Sequence, residues 1–215
     1  MASVVDICNI ALGLLGDEAT VTNLDPPEGS AQADHCARFF PVALGYMLEQ
    51  RPWSFAIRRV TLAQLAEDVD PAGWLFAYSH PSDCARVLSV TAPDDKYYQC
   101  PKDFIVEANP RREGARIILT DQEQAVCRYV HNCDGIEMFP EQFSQALATY
   151  LAFLLAGPLL AGQTGMTVAQ KMLQLHQVAL TKAMEFDAQQ SRHAYDAKAR
   201  QFNRYYRGAR HHHHA

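Results

Sequence analysis

Pro52-Trp-Ser-Phe-Ala-Ile-Arg-Arg-Val-Thr61 is the stretch at which the chain changes its hydrophobic period. Before it, apolar residues recur at steps of three and four, the spacing of one helix face. Val4, Ile7, Cys8, Ala11, Leu12 and Leu15 make the first such stripe, opened by Ser3 with Asp6 in capping-box spacing and closed by Gly16. A turn-rich connection from Thr20 to Gly29 leads to a second, longer stripe through Ala33, Cys36, Phe40, Leu44, Met47 and Leu48. Pro41 lies inside that helix, where its missing N–H and its clash with the Ala37 carbonyl should kink it or split it in two.

From Ile57 onward the pattern is that of strands. Segments near 57–64, 74–79, 84–91, 103–108, 115–120 and 125–131 are short, rich in β-branched and aromatic residues, and separated by Pro, Gly and Asp clusters. Trp74, Phe76 and Tyr78 alternate with Leu75, Ala77 and Ser79, and Val126, Arg128 and Val130 with Cys127 and Tyr129, the repeat of a half-buried antiparallel sheet. After Gly135 the helical period returns. Phe143, Ala146, Leu147, Tyr150, Leu151 and Leu154 predict a largely enclosed helix ending at Gly157-Pro158. A last helix is expected after Thr164-Gly165, with Val168, Met172, Leu175, Ala179, Ala183 and Phe186 facing its core.

The fold class that follows is α+β, an antiparallel helical bundle with an inserted small antiparallel β subdomain and a C-terminal helical extension. The segments are 1–56 for the N-terminal helices, 57–134 for the β subdomain and 135–187 for the C-terminal helices. Residues 188–210 form a basic, aromatic extension, and 211–215 a flexible end or part of a purification tag, since His211 to His214 are consecutive.

A chain of 215 residues, 48% hydrophobic, can bury one good core without help from disulfides. Its six cysteines form no C-x-x-C pair, so zinc-knuckle and thioredoxin chemistry are not indicated and reduced, buried thiols are expected. The opening Met1 to Gly16 has no basic segment and carries Asp6, unlike a signal peptide. The longest apolar run, Tyr150 to Ala161, is shorter than the roughly 20 residues a bilayer span needs. A cytoplasmic origin and no membrane partner are therefore expected. The net charge of −5 is unevenly spread, because Arg192, Lys198, Arg200, Arg204, Arg207 and Arg210 face only Asp196 in the last segment. The body ahead of it is acidic and unsuited to counterion-release binding of DNA.

Several short motifs stand in one order. They are Asn9-x-Ala11-Leu12-x-x-Leu15-Gly16, the Val21 to Leu24 step, Ala33-x-x-Cys36, Pro52-Trp53-x-Phe55-Ala56 and Arg58-Arg59. Tyr78-Ser-His-Pro81-x-Asp83-Cys84-x-Arg86-Val87 and Phe139-x-x-x-Phe143-x-x-Ala146-Leu147 follow. Together they resemble, over nearly the whole chain, the head-to-tail adaptor family of short-tailed bacteriophages called tail tubular protein A. The resemblance implies a structural virion protein, a head-tail connector ring of twelve copies by family analogy. It would join the portal to the tail nozzle or tube, dock tail fibres at its rim and let double-stranded DNA pass during ejection without sequence-specific binding. Assembly would take place in the host bacterial cytoplasm. It also implies that the C-terminal extension inserts between portal subunits, which makes Arg200, Arg204, Tyr205, Tyr206 and Arg207 the expected portal-binding residues.

Read as residues alone, Arg and Tyr at that density are typical interface anchors. Pro52, Trp53, Phe55 and Arg59 are read as structural anchors, the aromatic pair burying on the order of 150 to 250 Å² each. No enzyme motif is present: G-x-S-x-G, H-E-x-x-H, P-loop and G-x-G-x-x-G are all missing. No catalytic residue, metal or cofactor is expected. Asp34-His35-Cys36 cannot converge on one ion, because neighbours on a helix point about 100° apart. The alternative function is a tail-associated cell-wall or polysaccharide hydrolase using Asp94 and Asp95 or the scattered Glu67, Asp68 and Asp70, all in turn contexts.

Overall fold

The computed structural model describes residues 3–18, 20–65, 73–95, 101–132 and 138–209, with side chains described as far as 190. The fold is α+β and divides into two compact units. One holds residues 1–47 and 135–215, and the other holds 48–134. Helices α1 (Val4–Leu14) and α2 (Ala31–Glu49) precede, and α3 (Glu141–Leu160) and α4 (Gly162–Ala209) follow, the six strands of the described residues. These are β1 (Ile57–Thr61), β2 (Phe76–Ser79), β3 (Cys84–Thr91), β4 (Phe104–Ala108), β5 (Arg116–Thr120) and β6 (Val126–His131).

Helix α1 starts as its sequence dictates. The Ser3 hydroxyl accepts from the Asp6 N–H, and the Asp6 carboxylate accepts in return from the Ser3 N–H at 2.8 Å. It stops in a Schellman motif, with Gly16 in the left-handed region at φ 78°. There the Gly16 and Asp17 N–H groups donate to the carbonyls of Gly13 and Leu12 at 3.0 and 3.1 Å. The connection that follows is held by Asn9, whose amide grips the buried Val21 with both hands. The Val21 N–H donates to Asn9 Oδ1 at 2.8 Å, and Asn9 Nδ2 donates to the Val21 carbonyl at 3.0 Å. Helix α2 runs unbroken through Pro41 as one element.

Two of the expected helix ends fall elsewhere. Gly157-Pro158 does not end α3, which continues to Leu160, and Thr164-Gly165 lies inside α4. The chain reverses instead at Ala161 and Gly162, both at positive φ, 40° and 62°. Gly165 serves close packing: a Cβ there would meet the Ala156 carbonyl oxygen at 3.0 Å and the Gly157 Cα at 3.7 Å. A turn signal and a close-approach signal look the same in sequence, since both ask for a missing side chain.

Helix α3 packs against α1 and α4. By length and hydropathy it is the helix among the described residues that would suffice to cross a bilayer, a longer apolar element than the Tyr150 to Ala161 run suggested. Half of it is buried within its own unit, with Phe143, Leu147, Leu151 and Leu155 enclosed, which is the burial of a core helix.

In the β unit, β1-β6-β3 and β2-β5-β4 are two antiparallel three-stranded sheets. Two short seams join them. Beyond β1 the Leu65 N–H donates to the Ala77 carbonyl and the Ser79 N–H to the Ala63 carbonyl, both at 2.9 Å, and ahead of β4 the Lys102 N–H donates to the Val90 carbonyl at 2.8 Å. The order β1-β6-β3-β4-β5-β2 is thereby linked end to end, through residues that lie just outside β1 and β4. One apolar cluster fills the inside and draws on all six strand regions, through Leu62, Tyr78, Val90, Phe104, Ile118 and Tyr129 among others. Strand β5 departs from the half-buried expectation. Ile118 points into this cluster, while Ile117 and Leu119 join Ala77, Trp74 and Ile105 on the opposite face.

Replacing Asn9 with Ala leaves the backbone of a buried residue without its two partners. Asn9→Ala is expected to lower the urea-unfolding free energy by about 1 to 3 kcal/mol with an unchanged denaturant slope. A loss within measurement error would show that the clamp does not hold the connection.

Candidate interaction sites

The expected structural anchors are placed by a short 3-10 turn, Ser54–Ala56, that leads directly into β1. Trp53 is buried, its ring 6.2 Å from that of Phe55, and the Arg51 guanidinium lies 5.6 Å over its face. Phe55 is half-buried, and Pro52 and Arg59 are exposed. The aromatic pair is thus brought together, while Arg59 stands apart from it on β1, opposite Arg128 in the ladder to β6.

The neighbouring Arg58 does more than the sequence suggested. Its Nη1 donates to Asp83 Oδ2 at 2.9 Å, and the Tyr129 hydroxyl donates to Asp83 Oδ1 at 3.0 Å. The Asp83 carbonyl accepts from the Asn132 N–H at 2.8 Å. One carboxylate therefore ties the start of β1, the β2–β3 connection and the end of β6. Burial alone would raise the Asp83 pKa, but the Tyr129 and Arg58 hydrogen bonds outweigh it and hold the carboxyl below its ordinary value. Tyr129 is pushed up to about 12, first by burial and then by its bond to Asp83. Asp83 belongs to the Tyr78 to Val87 motif, so the motif's acidic residue is structural.

Helix α4 carries the expected portal-binding residues. Of the stripe expected on it, Met172 and Ala183 are buried and Val168, Ala179 and Phe186 half-buried. Leu175 is a correction: it is 48% exposed, and His176 takes the core position one residue on. The buried positions 165, 172, 176, 183 and 187 are separated by alternating steps of seven and four, an eleven-residue repeat rather than a leucine stripe. Carried forward by position, the same repeat reaches 194, 198, 205 and 209, and does not include Arg200, Arg204 or Arg207. Those three arginines, at steps of four and three, share a helix face of their own by register, with Tyr205 and Tyr206 outside it. Their side chains fall outside the described ones.

His176 sits in an aromatic node of three helices. Tyr46 of α2 stacks flat on Tyr150 of α3, with centroids 4.1 Å apart and planes at 10°, and the His176 ring lies 4.9 Å from Tyr150 and 6.0 Å from Tyr46. Nδ1 of His176 faces the Ala146 carbonyl at 3.0 Å and must therefore carry the proton. Nε2 is buried with no hydrogen-bond partner among the described residues. Burial pushes the imidazole below its ordinary value, against the smaller opposing effect of the Ala146 carbonyl. Tyr150 is raised, by burial first and then by Tyr46. Nothing in the helical periodicity marked this node: Tyr150 reads as one more apolar position of its helix, and Tyr46 lies outside the stripe read on α2.

Two of the residues invoked for hydrolysis lie among the described ones. Asp94 and Asp95 lie in the turn after β3, where the Asp95 N–H donates to the Ala92 carbonyl at 3.3 Å, and Glu67, Asp68 and Asp70 lie outside the described residues. Among the described residues no group of His, Cys, Asp or Glu side chains could hold a metal ion. In the Asp34-His35-Cys36 step Cys36 is buried, Asp34 is exposed and His35 stacks on Phe39 at 6.3 Å. Cys8, Cys36, Cys84 and Cys127 are free and buried, and burial pushes Cys84 to about 11 and Cys127 to about 12, far from thiolate chemistry at neutral pH. No protein-family model matches the chain, and no curated protein matches it.

The His176 node predicts a pH dependence of stability. A folded-state pKa below the unfolded value of about 6.5 means that the unfolded chain binds the extra proton first as pH falls. The stability present above pH 6.5 is therefore lost progressively below it, by at most about 1.4 kcal/mol per pH unit from this one group. Thermal or urea unfolding of the parent and of His176→Phe between pH 7.5 and 5 should show a smaller slope in the variant. Equal slopes would place the acid sensitivity elsewhere.

Proposed function

We propose that the chain is a structural subunit of a bacteriophage head-to-tail adaptor ring, and not an enzyme. The observation that carries this reading is α4. It is 48 residues long against 20 for α3, and beyond the reach of α3 its sequence carries Arg200, Arg204 and Arg207 at steps of four and three, with Tyr205 and Tyr206 between them. Arginine and tyrosine at that density are the residue types enriched where one protein binds another. The portal is the partner that the sequence resemblance supplies, with self-association into a ring of twelve copies, the nozzle or tail tube, and tail fibres as further contacts. Double-stranded DNA passes through the ring without specific binding, in keeping with the acidic body ahead of residue 192. The virion tail, at the head-tail interface, is the place of action, after assembly in the bacterial cytoplasm.

The motif residues support the same reading by what they do. Asn9 clamps Val21, Trp53 packs on Phe55, and Asp83 ties Arg58 to Tyr129. Each holds the framework together, as expected when a family's signature lies in its scaffold. Identical subunits joined head to tail close into a ring when the rotation per subunit divides a full turn, and each contact can then be modest.

Electron microscopy of the purified chain mixed with purified portal is expected to show rings stacked on portals. Removing residues 200–210 should weaken attachment by about tenfold or more, the loss typical of removing several Arg and Tyr anchors. Unimpaired attachment would remove the role of the arm. Failure to form any higher-order assembly beside the portal would remove the ring.

A further inference from the structure

At one end of the β unit the β4–β5 hairpin and the β2–β3 connection enclose an open groove of about 1240 Å³. Its charged lining is Arg111, Arg112 and Arg116 against Glu49 and, at the hairpin tip, Glu113, with His80 beside them. We propose that this groove binds an acidic, extended polypeptide segment of a partner protein. The proposal does not depend on the adaptor reading, since it rests on the β unit alone.

The arginines are presented by a preorganised loop. The Asn109 side chain accepts from the Arg111 and Arg112 N–H groups at 2.9 and 3.2 Å, closing an Asx turn. The Asn109 N–H donates to the Ala115 carbonyl at 2.8 Å, and the Ala115 N–H to the Arg112 carbonyl at 3.2 Å. Gly114, at φ 74°, completes the reversal. Across the groove the His80 N–H donates to the Arg116 carbonyl at 3.2 Å, so the base of the hairpin and the end of β2 are locked together. A partner therefore meets a cluster whose backbone is already ordered, which lowers the entropy lost on binding.

The kind of anion follows from the rest of the lining. Guanidinium forks match carboxylates as well as phosphates. Leu65, Pro81, Ala85 and Ala115 intersperse apolar surface, and Ser82 and Asn132 supply polar groups suited to a peptide backbone. Among the described residues no aromatic ring but His80 lines the groove, which leaves no platform there on which nucleic-acid bases would stack, and Glu49 and Glu113 oppose a continuous phosphate ladder. Carboxylates spaced by aliphatic side chains fit this alternation better than a polyphosphate does. Burial already holds the His80 imidazole below its ordinary value, and the Arg116 charge adds to this against the Pro81 carbonyl. A bound carboxylate would neutralise Arg116 and move the His80 titration upward.

The test uses the full chain and a fluorescein-labelled short peptide that alternates Glu with Val, followed by anisotropy at low and moderate salt. Saturable binding is expected, weakened about tenfold or more by Arg112→Glu with Arg116→Glu. Lys171→Glu on α4, a single charge reversal outside the groove, should leave it unchanged, whereas Arg112→Glu alone, a reversal of the same size, should weaken it. The His80 ring resonances should titrate at higher pH in the peptide complex. If the double variant fails to fold, Arg112→Ala, at an exposed turn position, gives the same comparison with a smaller loss. Absence of saturable peptide binding, equal binding by the groove variants, an equal loss with Lys171→Glu, or tighter binding of an oligothymidylate of the same charge would each overturn the proposal.

Discussion

A helix of 20 residues spans about 30 Å, and one of 48 residues about 72 Å. Helix α3 can therefore cover less than half of the helix it packs on, and the rest of the α4 arrangement follows from that mismatch. Where α3 lies alongside, the seam is Gly165, Met172, His176 and Ala183, so close at its start that a Cβ on Gly165 would crowd the Ala156 carbonyl. Past that reach α3 offers α4 nothing to bury against, and the sequence there carries Arg200, Arg204 and Arg207.

The buried histidine belongs to the same seam. A leucine at that position would satisfy the pattern, but His176 reaches the Ala146 carbonyl and stacks beside Tyr150, joining α4 to α3 by a directed contact as well as by packing. A directed contact fixes the register of two helices more tightly than aliphatic surface does, at the cost of sensitivity to acid. Tyr46, flat against Tyr150, brings α2 into the same node.

In the β unit the organising constraint is the strand edge. Six short strands leave exposed backbone unless the sheets are joined, and here two seams of one and two hydrogen bonds link them end to end. That linkage frees the hairpin between β4 and β5 to project its arginines instead of guarding an edge. The Asp83 carboxylate then pins three segments at one end, a role that periodicity does not announce because a polar residue in a connection reads as solvent-facing.

Much of the fold was legible in the order of residues. The capping box at Ser3, the Gly16 stop, the six strand segments and the return of helical period after Gly135 each depend on local rules, and the structure places all of them within a few residues. Local rules failed where one residue type answers two needs. Gly157 and Gly165 looked like turns but lie inside helices, Gly165 in close contact with the Ala156 carbonyl, and Leu175 looked like core but yields to His176. The expected arm arginines could be placed on one helix face, whereas the groove of Arg111, Arg112 and Arg116 with His80 joins segments some thirty residues apart in sequence and could not be foreseen. The sequence by itself determined which segments are helix and strand, because backbone preference and burial period act over a few neighbouring residues. Tertiary structure alone decided which polar groups are enclosed and which charges converge, because those depend on distances between segments that only packing brings together.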